Sequence, residues 1–217
     1  FQLPDMLAYF LVGGTASVTF ITILSRYREQ GREQEGEQAL SAILSVMLLV
    51  LGTAAIVGEI FAPYYTHVFF HGFPAQKAPL CTHMTRILLP IQLCFFVGGV
   101  LAAVLLVRKQ FAWQAVSPLI YNLGIILGGI LLAKKLGVPS LAIGALAGAI
   151  VGPLLLNYVG TRRLGVRLRF SLDWSNPGLR EWVRMSIPLM VGVSLVSADQ
   201  WILNYFASAA KGDIAKL

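Results

Sequence analysis

TRRLGVRLRFSLDWSNPGLREWVR, residues 161–184, decides how the rest of the chain is read. Arg162, Arg163, Arg167, Arg169, Arg180 and Arg184 stand here against Asp173 and Glu181. Long apolar runs precede the stretch and another follows it. In a membrane protein the connector richest in Lys and Arg stays cytoplasmic, because cations resist translocation. This one connector therefore orients every other segment. Asn176-Pro177-Gly178 reads as a turn, since Pro177 does not fit a helix interior. A short interfacial amphipathic piece is expected over Leu179–Met185. The whole stretch reads as a hinge-like link between two membrane bundles.

Composition agrees. Apolar residues make up 57% of the 217, charged residues 12%, and mean hydropathy is +0.73. A soluble domain carries about 25% charged residues. The net charge of +7 is spread over short connectors, where cations set topology and meet anionic lipid. It does not call for a nucleic-acid partner. Cys81 and Cys94 are too few for a disulfide framework. The chain opens on Phe1 and reads as a piece of a longer protein.

A bilayer core of roughly 30 Å takes about 20 helical residues. Six stretches meet that length: Met6–Leu24, Ala39–Ala62, Arg86–Val107, Ala115–Ala133, Leu141–Val159 and Ser186–Phe206. The fold class is all-α, a polytopic transmembrane bundle. Ser25–Gln38, Arg108–Gln114 and Thr161–Arg184 fall on one side with eleven Lys and Arg. Pro63–Thr85, Lys134–Ser140 and the tail after Ala207 fall on the other with six, counting Arg86 at the border of the first. The first side is expected to be cytoplasmic.

Gly144, Gly148 and Gly152 form a small-xxx-small stripe, and Gly124 and Gly128 form another. Such stripes let helices touch backbone to backbone where lipid gives no hydrophobic drive. Pro90, Pro118, Pro153 and Pro188 are expected to kink or end their helices.

Two helices carry polar stripes. Ser194, Ser197, Gln200 and Asn204 share a face with Ser186 and Ser208, and Asp199 falls roughly opposite. A carboxylate at membrane depth costs at least about 2.5 kcal/mol, so Asp199 marks a pathway or a hydrogen-bonding neighbour. Thr15, Thr19 and Thr22 share a face running down to Arg26; they line a cavity or back-bond to their own helix. Asn157 is expected to bond between helices. His67, His71, Cys81 and His83 match no compact zinc spacing and read as interfacial residues. No metal and no cofactor is called for. No phosphate-cradling Gly-Lys-Ser/Thr loop, nucleophile elbow or connector with paired carboxylates is present, so no enzyme is read.

Phe1-Gln2-Leu3-Pro4, Gly14, Ser17 and Phe20–Tyr27 (FITILSRY) resemble the second-helix region of the MurJ/MviN family. These are bacterial lipid II flippases of the multidrug/oligosaccharidyl-lipid/polysaccharide exporter superfamily. Arg108–Gln114 with Pro118 and Asn122 resembles that family's junction of helices four and five. Pro188, Gly192, Ser194 and Asn204–Ser208 resemble its seventh helix. The resemblance implies helices two to seven of fourteen: most of the N-terminal lobe over 1–160, an inter-lobe linker over 161–185 and the first helix of the C-terminal lobe over 186–217. The architecture it implies is MATE-like, with lobes rocking about a central cationic cavity. It makes Thr15, Thr19, Thr22, Ser194, Ser197, Asp199, Gln200 and Asn204 candidate lining residues, and Arg162, Arg163, Arg167 and Arg169 linker residues.

It also implies a lipid-linked glycan substrate, a coupling ion or the membrane potential as driving force, a monomer, and a multi-pass place in the bacterial cytoplasmic membrane. Many members carry a basic pair and then an acidic residue in the stretch matching Ala8-Tyr9 and Gly13; those charges are missing here. That leaves open another polyprenyl-linked glycan, or a drug antiporter of the same superfamily. A non-transporting scaffold, the bland alternative, would scatter its polar residues rather than gather them in stripes.

Overall fold

The computed structural model describes residues 15–69 and 78–192. Helix α1 is Thr15–Glu29, α2 is Glu33–Phe69, α3 is Ala78–Val107 and α4 is Phe111–Leu136. A single rod over Pro139–Arg163 follows, made of α5 (Pro139–Ala149), a π-helical stretch (Ile150–Leu156) and α6 (Asn157–Arg163). After an extended link comes α7, 177–192. Among the described residues four helices are long and apolar enough to cross a membrane: Glu33–Tyr64, Pro79–Val107, Phe111–Leu136 and Pro139–Arg163. The first expected span falls partly, and the last largely, outside the described residues.

The glycine stripes do what their spacing predicts. Chain reversal at Gly137, in the left-handed region with φ 63°, sets α4 and α5 antiparallel. A Cβ on Gly128 would lie 2.5 Å from Gly144 Cα, and one on Gly124 2.6 Å from Gly148 Cα. One on Gly152 would lie 2.5 Å from Ser117 O. No larger residue fits between these backbones. On the other side of the rod, Asn157 Nδ2 donates to Gly98 O at 3.2 Å, the interhelical bond expected of it.

Pro153 sits inside the π-helical stretch. A proline lacks the N–H of the helical ladder, and a π-bulge is one way to absorb that loss. The second span was expected to end at Ala62 and the connector to open at Pro63, yet α2 runs through Pro63 to Phe69. The reason is a distant residue. Proline at 63 leaves the Glu59 carbonyl without its usual donor, and Arg86 Nε of α3 supplies one at 3.2 Å.

Two cores hold the bundle. Phe20 and Ile23 of α1, Leu40, Ile43 and Met47 of α2, and Phe96 and Val100 of α3 form the larger. Val166, Leu179 and Trp182 complete it from the link and α7. Phe20 stacks on Trp182 with ring centres 5.3 Å apart and meets Phe96 edge-on at 6.2 Å. Burying side chains of this size is worth roughly 1.5–3 kcal/mol each. The smaller core joins Leu88 and Ile91 of α3 to Ala142, Ala145 and Ala149 of α5.

The Asn-Pro-Gly triplet is not a turn between elements but the start of α7. Asn176 Oδ1 accepts from the N–H groups of Gly178 (3.0 Å) and Leu179 (3.3 Å), and Pro177 takes the first helical position. That is an N-cap with proline at N1, where a missing N–H costs nothing. The amphipathic piece expected over Leu179–Met185 and the span expected from Ser186 thus begin as one helix.

Candidate functional site

The three connectors expected on one side converge at one end of the bundle. Arg26, in the last turn of α1, pairs with Glu181 of α7 at 2.5 Å. Glu33, opening α2, receives Arg108 at 2.8 Å and Arg28 at 3.5 Å. Arg28 also donates to Val107 O, capping the last turn of α3 with a cation, where the helix dipole favours one. Each pair is half-exposed and individually worth under about 1 kcal/mol. Together they fix α1, α2, α3 and α7 in one arrangement.

The link is held by two serines that the sequence reading did not single out. Ser41 Oγ donates to Glu37 O and accepts from Arg169 N–H at 3.2 Å. Ser45 Oγ donates to Ser41 O and accepts from Ser171 N–H at 2.9 Å. Four helical residues rise about 6 Å and two extended residues about 6.6 Å, so the two periods match. The signal was available: Arg167–Trp174 alternates polar and apolar without exception, the mark of an extended amphipathic segment. Arg167, Arg169, Ser171 and Asp173 line an open cavity of about 560 Å³ against the first turns of α2. On the alternate positions Leu168 packs on the core, while Phe170 and Trp174 are 73% and 59% exposed.

The four candidate linker arginines therefore divide. Arg167 and Arg169 line the cavity. Arg163 lies over the Trp113 ring, 5.3 Å from its centre, and Arg162 bonds to Tyr158 at 2.9 Å; both are occupied in packing the rod.

The threonine stripe divides as well. Thr19 is buried. Thr22 is exposed and donates to Val18 O at 2.9 Å, the back-bonding alternative. The exposed line on α1 is Val18, Thr22 and Arg26, one turn apart. The side chain of Thr15 lies outside the described residues, as do Ser194, Ser197, Asp199, Gln200 and Asn204. Ser186 is buried beside Trp182, on the side of α7 that meets Phe20. Among the described residues, Ser186 Oγ and Trp182 Nε1 are buried without a hydrogen-bond partner. What the basic end offers chemically is ionic and hydrogen-bonding contact between helices that precede and follow the link.

A family described as lipid II flippase MurJ matches residues 1–217, the whole chain. The chain belongs to the MurJ family. A Buchnera aphidicola subsp. Acyrthosiphon pisum (strain APS) protein named "Probable lipid II flippase MurJ" is 26% identical over 212 residues, 96% of this chain and 41% of that protein. A Vibrio cholerae serotype O1 (strain ATCC 39315 / El Tor Inaba N16961) protein of the same name is 23% identical over 95% of this chain and 41% of its own length. A solved structure, "Lipid II flippase MurJ, inward closed conformation", superposes with a TM-score of 0.66 at 18% identity, over 94% of this chain and 45% of that one. That likeness establishes a MurJ-type fold for this chain. The chain spans about two fifths of the length of the curated MurJ relatives it matches.

Proposed function

We propose that the chain is most of one lobe, with the start of the next, of a flippase carrying lipid-linked peptidoglycan precursor across the bacterial cytoplasmic membrane by alternating access. The observation that carries this reading is the family match over all 217 residues. On this reading 1–160 belong to the first lobe, 161–185 to the inter-lobe linker and 186–217 to the first helix of the second lobe, with six spans in all. The basic end lies at the cytoplasmic surface. Arg26–Glu181 then joins a first-lobe helix to the helix entering the second lobe, so rocking of the lobes loads or parts this pair.

Thr15, Thr19 and Thr22 on one helix, and Ser194, Ser197, Asp199, Gln200 and Asn204 on the other, are the proposed cavity residues. Thr22 has the support of exposure on the line that ends at Arg26. The cargo crosses chemically unchanged, driven by a coupled ion or the membrane potential, and the protein acts as a monomer rather than as an enzyme.

The test is complementation by the full-length protein in cells depleted of their own lipid II flippase, with wild type and Asp199→Asn side by side. Growth with wild type and its loss with Asp199→Asn are expected. Wild-type protein present in the membrane without rescue would move the cargo to another polyprenyl-linked glycan.

A further inference from the structure

The cavity between α2 and the link has an unusual charge balance. Arg167 and Arg169 enter it from the link, and Glu37 and Asp173 face the same space. None of the four is ion-paired among the described residues, although opposite charges share one cavity. Gln34 and Gln38 add amide groups that both donate and accept. An anion alone would meet the carboxylates, and a cation alone would meet the guanidinium groups. A ligand carrying both signs satisfies all four.

Position narrows the class further. Ser45 lies eight residues beyond Glu37, about 12 Å along the helix, so the link dips from the charged end toward the hydrocarbon. Its other face presents Phe170, Leu172 and Trp174, exposed as an interfacial aromatic anchor is. That face sets the depth of the link, and the cavity on its opposite face then lies at the level of lipid headgroups. The volume of about 560 Å³ is within the roughly 300–1,000 Å³ of small-ligand sites.

We propose that this cavity binds the zwitterionic headgroup of a phosphoethanolamine phospholipid from the cytoplasmic leaflet. Arg167 and Arg169 take the phosphate through charge-assisted hydrogen bonds, and Glu37 and Asp173 take the primary ammonium. Gln34 and Gln38 hold the remaining N–H groups. A bound lipid thereby ties the link to α2, where Ser41 and Ser45 already hold its backbone. This rests on the membrane orientation proposed above and not on the cargo.

The test is equilibrium binding of short-chain phosphatidylethanolamine to the purified full-length protein in detergent, without transport. Arg167→Gln/Arg169→Gln and Glu37→Gln/Asp173→Asn each remove two charged partners and are each expected to weaken binding by at least about tenfold, the scale of a single lost charge-assisted contact. Phosphatidylcholine keeps the phosphate but has no N–H to donate, and is expected to bind about tenfold more weakly. Arg180→Gln/Arg184→Gln removes the same charge outside the cavity and is expected to leave binding unchanged. Three results would overturn the proposal. One is phosphatidylglycerol binding more tightly than phosphatidylethanolamine, with the carboxylate variant gaining affinity. Another is equal loss in the Arg180/Arg184 variant. The third is soluble phosphoethanolamine binding as tightly as the lipid, which would make the ligand a cytoplasmic solute.

Discussion

Replacing Gly148 by alanine adds one methyl group at the tightest kind of contact in this bundle. The new Cβ would lie 2.6 Å from Tyr121 O and 3.1 Å from Tyr121 Cα, where ordinary contact begins at 3.4 Å. Both neighbours are backbone, so no side chain turns aside. The rod and α4 must part by the better part of an ångström. Gly124, Gly128, Gly144 and Gly152 share the same seam, and separation at one point loosens dispersion contacts along all of it. Overpacking of this kind costs about 1–3 kcal/mol. Gly52 of α2 is the control, because nothing lies within 4 Å of a Cβ there. Alanine at that helical position restricts the unfolded chain and is expected to stabilise by about 0.5–1 kcal/mol. The assay is unfolding of the full-length protein in mixed micelles with rising denaturing detergent, followed by tryptophan fluorescence. Gly148→Ala should unfold earlier than wild type and Gly52→Ala later. Gly148→Ala unfolding with or after wild type would refute a seam set by backbone contact.

Three further outcomes follow from single contacts. Ser41→Ala with Ser45→Ala strips the acceptors from Arg169 and Ser171, so these two amides should exchange hydrogen at least about tenfold faster, as loss of roughly 1.4 kcal/mol implies; unchanged exchange would mean the serines do not hold the link. Arg86→Met should destabilise the protein by about 1 kcal/mol alone but by little in a Pro63→Ala background, where residue 63 again offers an N–H to Glu59 O; additive losses would separate Arg86 from the proline. Arg26→Glu and Glu181→Arg should each lower transport in the complementation assay, and the double exchange should restore it in part; no recovery, with both proteins in the membrane, would count against the pair as a coupling contact.

Much of this architecture was legible because membrane helices leave coarse marks. Gly144, Gly148 and Gly152 recur every fourth residue, the spacing that lets two helix backbones touch. The basic connectors announced which helix ends meet, and Arg26, Arg108 and Glu181 meet there. What escaped was decided by neighbours distant in sequence. The expected span stopped short of Pro63, and the donor that replaces its missing N–H, Arg86, lies 23 residues away. Asn176-Pro177-Gly178 carries the residues of a turn and of an N-cap alike, and the packing of Leu179 and Trp182 on Phe20 selects the helix. The helical wheel put Thr19 and Thr22 together, but they are 60° from superposed on a 100° wheel, enough for one to face the core and the other outward. The alternation over Arg167–Trp174 is only eight residues long and its partners, Ser41 and Ser45, lie more than 120 residues away, so its period alone does not show what it packs against.

The proposed activity of the full-length protein, outward movement of lipid II, is open to direct measurement. The most direct measurement is the fraction of lipid II reached by a membrane-impermeant, lipid II-binding probe on cells whose own flippase is depleted. Expression of the full-length protein should return the probe signal toward that of undepleted cells within the depletion period. Full-length protein present in the membrane while lipid II stays inaccessible would contradict the account.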